Sequence, residues 1–438
     1  MPKWVGAAPP KSVSVSAMRS VSTCGSRPPA QTPSTRADRR RIIPLAAGGL
    51  FISGFNNFIV AVALLQLRTE FRLSPGASGE VAAAALAGML VGSISLGRVA
   101  DAMGRRLALV LDLALVAAFA ILSALVSSPG ELVGARVLLG IGVGAGYPIG
   151  AAYVADVSPD HSRGRLMVAA FSGWGFGALA AALAGWAILA LDTGSQGWRL
   201  MLLLGAVPAL LLLLWVAISS LPESPRWANS RSLDRLPASC LLAPAYRRLT
   251  VAACVPWFLM DVSVYGIGLF TPVLLLGLGL RAPDEVALGT GLLALVTLAG
   301  MTLAALVIDH LGRRLLQIAG FVGMAASLVL VGIVGTHPSV LLLLAVFAGF
   351  QLSANLGPNT TTWIVPAELF PTRLRATGQG SATAFSRLGA MLGVLLLPTG
   401  VAAFGLAITL YLVAAVSILG AILTLLLLPE TRGTRLED

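Results

Sequence analysis

The stretch GRVADAMGRR, residues 97–106, returns in the second half of the chain as LVIDHLGRR, residues 306–314. Asp101 and Asp309 occupy the same place in the shared Asp-x-x-Gly-Arg-Arg core, 208 positions apart. Each copy lies between two long apolar runs. A charged motif that repeats between apolar runs is typical of a duplicated membrane unit, in which each half of the chain supplies one bundle of helices.

Two other charged motifs repeat in the same order, which extends the duplication over both halves. They are Asp156 with Arg163, which return as Glu368 with Arg375, and Pro222-Glu223, which returns as Pro429-Glu430. One order at nearly one offset predicts two bundles related by internal symmetry.

The composition places most of the chain in lipid. Of the 438 residues, 57% are hydrophobic and 11% are charged, and the mean hydropathy is +0.87. A soluble domain of this length needs far more polar surface. Twelve segments approach the ~20 residues that a spanning helix needs. They are 43–65, 80–98, 107–127, 133–156, 167–191, 199–220, 250–276, 286–309, 314–335, 339–366, 377–398 and 404–428. We therefore predict an all-α membrane protein with twelve transmembrane helices in two pseudo-symmetric six-helix bundles.

The polar stretches divide the chain into four regions. We predict a disordered basic tail at 1–41, a first bundle at 42–221, a linker at 222–247 and a second bundle with a short tail at 248–438. The first region is rich in Ser, Pro and Arg and lacks a signal-peptide core. An over-extended start upstream of Met18 and an organelle transit peptide are the alternatives for it.

The net charge of +11 does not indicate a nucleic-acid partner, because the basic residues follow the membrane. If the N-terminus is cytoplasmic, the inner loops carry most of the arginines, which is the positive-inside asymmetry. We expect both termini in the cytoplasm and the chain in a plasma membrane. The excess of arginine over lysine favours a GC-rich bacterium, and hence a bacterial inner membrane. The expected partners are a small-molecule solute, a proton and the lipid bilayer. We expect a monomer, no cofactor, no metal and no nucleic acid.

The motifs resemble those of the major facilitator superfamily over essentially everything after the tail. GRVADAMGRR matches the loop motif of that superfamily between its second and third helices. YVADVSPDHSRGRL, LPESPRW and PETRGTRLED resemble the sugar-porter branch. WFLMDVSVYGIGLF and GPNTTTWIVPAELFPTRLRATGQG resemble the phosphate:proton symporter branch.

The resemblance implies a cytoplasmic gate built from the duplicated charges. In the family, an acid in the position of Asp101 or Asp309 pairs with an arginine at the end of a neighbouring helix and latches the outward-open state. By resemblance, the partners are Arg163 with Asp156 in one half and Arg375 with Glu368 in the other. The full predicted gate is Asp101, Arg105, Arg106, Asp156, Arg163, Asp309, Arg313, Arg314, Glu368 and Arg375. The alternative is that the arginines act only as topological anchors.

One acid and one base stand near the middle of the membrane by counting along the predicted helices. Asp261 lies roughly 16 Å into the seventh helix at 1.5 Å per residue, and Arg387 lies about as deep in the eleventh. Either charge alone against lipid is costly, so both are expected to face a cavity and to pair.

Further polar residues share helix faces with this pair. Trp257 and Tyr265 lie four residues before and after Asp261, nearly on one face. Candidates on other helices are Gln351, Asn355 and Asn359 along the tenth helix, Tyr147 in the fourth, and Asn56 in the first. Together they predict one polar chamber for the solute. Ordinary packing is the alternative for the aromatic residues.

The phosphate:proton pattern implies substrate or coupling roles for Trp257, Asp261, Tyr265 and Asn359, with Arg387 in place of a lysine. Arginine suits this place because its planar fork grips an oxyanion at two points. The chain departs from the pattern elsewhere. The expected acids of the first and fourth helices are Ser53, Asn56 or Asn57 and Gly146, and a glutamine of the fifth helix is replaced by Ser172.

The leading hypothesis is a secondary active transporter of a small polar solute, an organic or inorganic anion, coupled to protons through Asp261. A uniporter or symporter of a neutral sugar-like or aromatic solute is the first alternative. The second is a non-transporting membrane sensor on the same fold. We do not expect an enzyme, because no carboxylate pair, metal cluster or nucleophile with a base is evident.

Overall fold

The computed structural model describes residues 35–191, 196–219, 223–230, 236–277, 283–334 and 340–436, and the regular elements in these ranges are helices. In chain order, the α-helices are α1 Arg36–Glu70, α2 Pro75–Met103, α3 Arg105–Leu125, α4 Pro129–Val157, α5 Arg163–Ala190, α6 Gly197–Leu204, α7 Ala206–Ile218, α8 Pro225–Ser230, α9 Pro244–Gly277, α10 Pro283–Leu311, α11 Arg313–Val334, α12 Val340–Leu356, α13 Pro358–Leu369, α14 Arg375–Phe404 and α15 Leu406–Leu427. A 3₁₀ turn, Ala238–Leu242, precedes α9. The predicted all-α fold is confirmed.

Eleven helical spans of the described residues are long and apolar enough to cross a membrane; α6 and α7 together form one of them. The predicted segment 339–366 is instead two helices, α12 and α13, which meet at Gly357. The break has a local cause: Pro358 has no N–H to donate, and a proline disfavours helical geometry in the residue before it. The hydroxyl of Thr360 donates to the carbonyl of Asn355, which satisfies one carbonyl that the break releases.

The first helix begins earlier than the sequence indicates. Residues 36–41 were predicted to belong to the tail, but α1 starts at Arg36. A capping box explains the start: the Thr35 hydroxyl accepts from the N–H of Asp38, and the Asp38 carboxylate accepts from the N–H of Thr35. The rest of the predicted tail, 1–34, lies outside the described residues.

The two bundles meet along two pairs of helices. Helix α2 packs against α14, and α5 packs against α10. Small residues make the first contact possible: a Cβ added at Gly97 would lie 2.8 Å from the carbonyl oxygen of Ala376, and one added at Gly380 would overlap the carbonyl of Ser93. The backbones of the two halves therefore touch directly there. Within the linker, α8 lies against α2, because the indole N–H of Trp227 donates to the carbonyl of Asp101 at 2.8 Å.

The repeated Asp-x-x-Gly-Arg-Arg core forms a tight corner in both halves. Gly104 separates α2 from α3 with φ +114°, and Gly312 separates α10 from α11 with φ +89°. A side chain at such a φ is strained. Glu223 caps the first corner by accepting from the N–H groups of Arg105 and Arg106.

Gly104→Ala is expected to destabilise the protein by about 1–2 kcal/mol, because alanine is strained at positive φ. Thermal unfolding in detergent measures the effect. Gly130→Ala is the matched control, since a Cβ there meets nothing within 4 Å. Equal melting temperatures for the two variants would contradict the strain argument.

Candidate functional site

An ion pair lies in the core between the spans. The guanidinium Nη2 of Arg387 on α14 lies 3.1 Å from Oδ2 of Asp261 on α9. Asp261 is 0% exposed and Arg387 is 1% exposed, so neither side chain reaches the lipid-facing surface. The sequence placed both at one depth and expected them to pair, and the structure brings them together. Such a charge pair inside a membrane fold is costly to build, which makes it a candidate functional site.

Two tyrosines surround the guanidinium of Arg387. Its Nη1 donates to the hydroxyl of Tyr265, 2.5 Å away. The ring centroids of Tyr265 and Tyr147 lie 4.9 Å and 5.0 Å from its central carbon. Aromatic faces stabilise a buried cation. Tyr147 comes from the first half of the chain and Arg387 from the second, so the cluster joins the two bundles.

Two of the three predicted amides of the tenth predicted span form a short chain of hydrogen bonds. Asn359 donates to the side-chain oxygen of Asn355 at 2.7 Å, and Asn355 donates to the backbone carbonyl of Gln351 at 2.8 Å. Asn359 lies at the start of α13, just after the break, and Gln351 lies on α12. The chain of hydrogen bonds therefore spans the break at Gly357.

A small cavity between the bundles lies beside these amides. Its volume is about 30 Å³, and its wall is formed by Phe58, Trp174, Ala178, Val264, Gly268, Thr290, Leu293, Ala294, Thr297, Gln351 and Asn355. The wall holds no charged side chain; its polar groups are hydroxyls, amides and an indole. Trp174, on α5, has a buried N–H that finds no hydrogen-bond partner among the residues that the structure describes. A ligand acceptor in the cavity would satisfy that donor.

Aromatic rings separate the cavity from the charged motifs. Phe171 on α5 and Trp363 on α13 stack across the two bundles with centroids 5.1 Å apart. Phe171 also stacks on Trp174, which contacts Phe58 edge to face. These aromatic residues were not predicted from the sequence, because an aromatic residue in an apolar helix gives no signal of its partner.

The structure places Trp257 and Asn56 differently from one another. Trp257 is buried on α9 close to the Asp261 carboxylate, as its helical spacing predicted. Asn56 lies elsewhere: its amide nitrogen donates to the carbonyls of Ile52 and Gly205, at the junction of α6 and α7. The prediction that Asn56 lines the chamber does not match this geometry. The face of α1 that carries Asn56 is turned toward its own bundle.

Two buried charged residues in the first bundle were not predicted from the sequence. Asp112 on α3 is 3% exposed, and Arg136 on α4 is 1% exposed, where its Nη2 donates to the backbone carbonyl of Asn56 at 2.8 Å. Asp261 and Arg387 are therefore not the only buried charges away from the motifs. The depth of Asp112 could have been read from the sequence, because Asp112 lies seven residues into α3, or roughly 10 Å along the helix axis.

The duplicated motifs meet at one end of the molecule, which we call the motif end and define by Asp101, Asp156, Asp309 and Glu368. Two of these acids cap helices of the opposite bundle. Asp101 accepts from the N–H groups of Ala376 and Thr377, at 3.3 and 2.6 Å, and from the Thr377 hydroxyl at 2.7 Å.

Asp309 repeats this arrangement from the second bundle to the first. It accepts from the N–H groups of Gly164 and Arg165, at 3.1 and 3.0 Å, at the start of α5. A carboxylate at a helix N-terminus satisfies free N–H groups and complements the helix dipole. The two acids thus fasten the bundles together by exchanged caps.

The ion pairs at the motif end also cross between the bundles. Asp156 pairs with Arg375 of the other half and lies 3.8 Å from Arg105 of its own. Glu368 pairs with Arg313 of its own half at 2.8 Å and lies 3.9 Å from Arg163 of the other. Asp101 and Asp309 were expected to pair with arginines at the ends of neighbouring helices, Arg163 beside Asp156 and Arg375 beside Glu368, and this expectation is wrong in this conformation. The two acids instead form ion pairs within their own motifs, with Arg105 at 2.5 Å and with Arg313 at 3.2 Å. The motif order repeats within each half, but the closed interface exchanges the partners.

The third repeated motif, which begins at Pro222 and again at Pro429, donates hydrogen bonds to Asp156 and Glu368. The hydroxyl of Ser224 donates to Asp156, and that of Thr431 donates to Glu368, both at 2.6 Å. Glu430 accepts from the N–H groups of Arg313 and Arg314, as Glu223 does in the first half.

Two predicted gate residues play a smaller part. Arg106 is exposed and joins its cap through its N–H. The guanidinium of Arg314 donates to the carbonyl of Leu425 in its own bundle. The other eight predicted gate residues bring their charged groups into the motif end.

Comparison with known proteins agrees with this architecture. The model of the family described as “Sugar (and other) transporter” matches residues 42–244 and 230–438. The chain is 31% identical to the inner membrane metabolite transport protein YgcS of Escherichia coli (strain K12), over 90% of this chain and 92% of that relative. It is 27% identical to the arabinose-proton symporter of Bacillus subtilis (strain 168), over 91% and 93%. It is 26% identical to the repressible high-affinity phosphate permease of Neurospora crassa, over 81% and 76%.

The fold also matches a solved structure. The major facilitator superfamily proton:xylose symporter XylE, bound to 6-bromo-6-deoxy-D-glucose, superimposes with a TM-score of 0.80 at 22% identity, covering 92% of this chain and 98% of that chain. The motifs, the two bundles and the family match agree. The fold is that of the major facilitator superfamily symporter, and the chain belongs to the sugar (and other) transporter family, whose members are membrane transporters and not enzymes.

Proposed function

We propose that the protein is a secondary active transporter that moves a small anion, organic or inorganic, together with a proton by alternating access. The observation that carries this proposal is the buried pair of Arg387 and Asp261, which lies in the second bundle against Tyr147 of the first. Among the described residues, the carboxylate of Asp261 is the one ion-pair partner of Arg387, and an incoming anion would compete with it for this planar cation.

The geometry supports a simple exchange at Arg387. The opposite charge of Arg387 favours ionised Asp261 while the pair is intact. An anion that draws Arg387 away leaves Asp261 buried without a cation, so Asp261 then takes a proton. In the proposed exchange, Tyr265, which already accepts from Arg387, and Asn359 donate hydrogen bonds to the bound anion. Anion binding and proton uptake are thereby linked.

Opening to the other side requires the exchanged caps and the crossed ion pairs of the motif end to separate. We propose that this end faces the cytoplasm of a bacterial inner membrane, with both termini inside, because the inner loops predicted from the sequence carry the arginine excess. Several of these ion pairs are buried, so water and new partners must solvate their charges when the two bundles separate at this end.

The proposal is tested with purified protein in liposomes at zero membrane potential, with nicotinate and phosphate as anionic probes. External pH one unit below internal pH is expected to drive accumulation of at least one of them by about tenfold or more, since each coupled proton contributes 1.4 kcal/mol. Asp261→Asn is expected to lower this accumulation about tenfold, and Glu80→Gln, an exposed acid on α2, to leave it unchanged. Anion uptake that ignores the pH gradient would contradict proton coupling.

A neutral solute is the second candidate, favoured by the uncharged wall of the cavity. Relatives named for arabinose and for phosphate show that the family carries both chemical classes. Xylose as a competitor separates the two: it should not inhibit nicotinate or phosphate uptake if Arg387 binds the solute, and it should inhibit strongly if the amide-lined cavity does.

A further inference from the structure

Asp112 is a buried acid that takes no part in the transport site described above. It lies on α3 with 3% of its surface exposed. No ion pair or hydrogen bond engages its carboxylate within the part of the chain that the structure describes. An ionised carboxylate buried without a cation is very costly, and such a group becomes neutral by binding a proton.

The neighbours of Asp112 make room for a carboxyl group but do not neutralise it. A Cβ built at Gly146 of α4 would lie 3.5 Å from its Oδ2 and 3.3 Å from the Oγ of Ser53 on α1. The single hydrogen of the Ser53 hydroxyl is directed at the backbone carbonyls of Gly49, at 3.1 Å, and Val143, at 3.4 Å, and not at Asp112. The carboxyl group therefore lies in a gap between three helices, closed by glycine and serine.

The buried and half-buried charged side chains on the packed helices are engaged elsewhere. Asp101, Arg105 and Asp156 belong to the motif end, Arg136 donates to Asn56, and Arg199 donates to the carbonyls of Ala124 and Val126. None of them interacts with the Asp112 carboxyl group.

The internal duplication does not account for Asp112. Asp101 and Arg105 recur 208 positions later as Asp309 and Arg313, and the same offset places Gly320 opposite Asp112. Gly320 packs directly on α12 and α13, so the second bundle has no space for an acid there. The acid is thus a feature of the first bundle alone and not a part of the repeated scaffold.

We propose that Asp112 is a second proton-binding site of the transporter, located in the gap formed by Gly146 and Ser53. In the conformation closed at the motif end, its carboxyl group holds a proton. When the bundles rearrange and water enters the gap, an O–H bond of the carboxyl group breaks and the proton passes to water. The carboxylate is reloaded from water on the opposite side. This deepens the proposed function and rests on it only for the transport measurement below.

The first test needs no solute. Infrared spectra of the reconstituted protein with ¹³C-labelled aspartate are expected to show the carbonyl stretch of a protonated carboxylic acid at neutral pH. Asp112→Asn, which conserves size, should remove that band, whereas Glu80→Gln should keep it. A band that persists unchanged in Asp112→Asn would overturn the proposal.

Relocation of the acid tests the gap itself. Because a side chain at position 146 points into the same space, Asp112→Asn combined with Gly146→Asp should restore the band. If the double variant folds, as judged by gel filtration and melting, and lacks the band, the gap is not the proton site. The single Asp112→Asn variant remains decisive if the double variant does not fold.

Transport provides the functional readout. At a pH difference of one unit, Asp112→Asn should lower nicotinate or phosphate accumulation about tenfold, one coupled proton fewer, while solute exchange without a gradient continues. Accumulation equal to wild type would overturn the coupling role. A sodium gradient that drives accumulation in wild type but not in the variant would assign the site to Na⁺ and would also overturn it. If the wild-type protein transports neither probe, the proposed function is contradicted, whereas the protonation of Asp112 is still decided by the infrared measurement.

Discussion

Replacement of Arg387 by glutamine is expected to weaken binding of the anionic probe by about tenfold to a hundredfold, because a charge-assisted contact contributes about 1.5–3 kcal/mol. Equilibrium binding of nicotinate or phosphate to detergent-solubilised protein measures this change. Arg98→Gln is the matched control, since Arg98 is an exposed arginine on α2.

The single variant also leaves Asp261 buried without its cation, which costs about 3–5 kcal/mol when a buried pair is broken. The double variant Arg387→Gln with Asp261→Asn removes both charges and separates the two effects. Its melting temperature should recover while its anion binding should not. Anion binding that recovers with stability would show that Arg387 acts only in folding.

The second large effect is expected at the motif end. Neutralising Asp101 and Asp309 together should shift the population toward a conformation that is open at this end. Each carboxylate at a helix N-terminus contributes up to about 2 kcal/mol in a partly buried setting, or roughly thirtyfold in the closed-to-open ratio. The two sites share no partner, so their effects should add.

Spin labels at Met103 and Leu311, exposed residues near the ends of α2 and α10, report this opening in a cysteine-free background. The distance distribution in the Asp101→Asn, Asp309→Asn variant should gain a longer component. Asp160→Asn is the control, because Asp160 pairs with Arg163 within its own half. An unchanged distribution in the double variant would show that the exchanged caps do not hold the bundles closed.

The repeated motifs were sufficient to predict the fold, because each copy lies at a helix corner whose geometry depends on local residues. Gly104 and Gly312 supply the positive φ, and the neighbouring arginines start the next helix. Depth was also predictable. A helix rises 1.5 Å per residue, so counting along two helices brought Asp261 and Arg387 to one height.

The ion-pair partners at the motif end could not be predicted from the sequence. The spacing of seven between Asp156 and Arg163 describes one half only, whereas the observed pair of Asp156 with Arg375 depends on how the halves dock. Asn56 shows the same limit, because the face of α1 on which it lies became known only from its contact with Gly205. Asp112 differs, because counting along α3 already gives its depth, whereas its proximity to Gly146 of α4 depends on how the helices pack.

The most direct test of the account is the affinity of the anionic probe for the Asp261→Asn variant. If the solute competes with Asp261 for Arg387, removing the competing charge should tighten binding of nicotinate or phosphate relative to wild type, even as proton-driven accumulation falls. Weaker binding in Asp261→Asn would contradict the account, because it would mean that the carboxylate of Asp261 helps to hold the solute and does not compete with it.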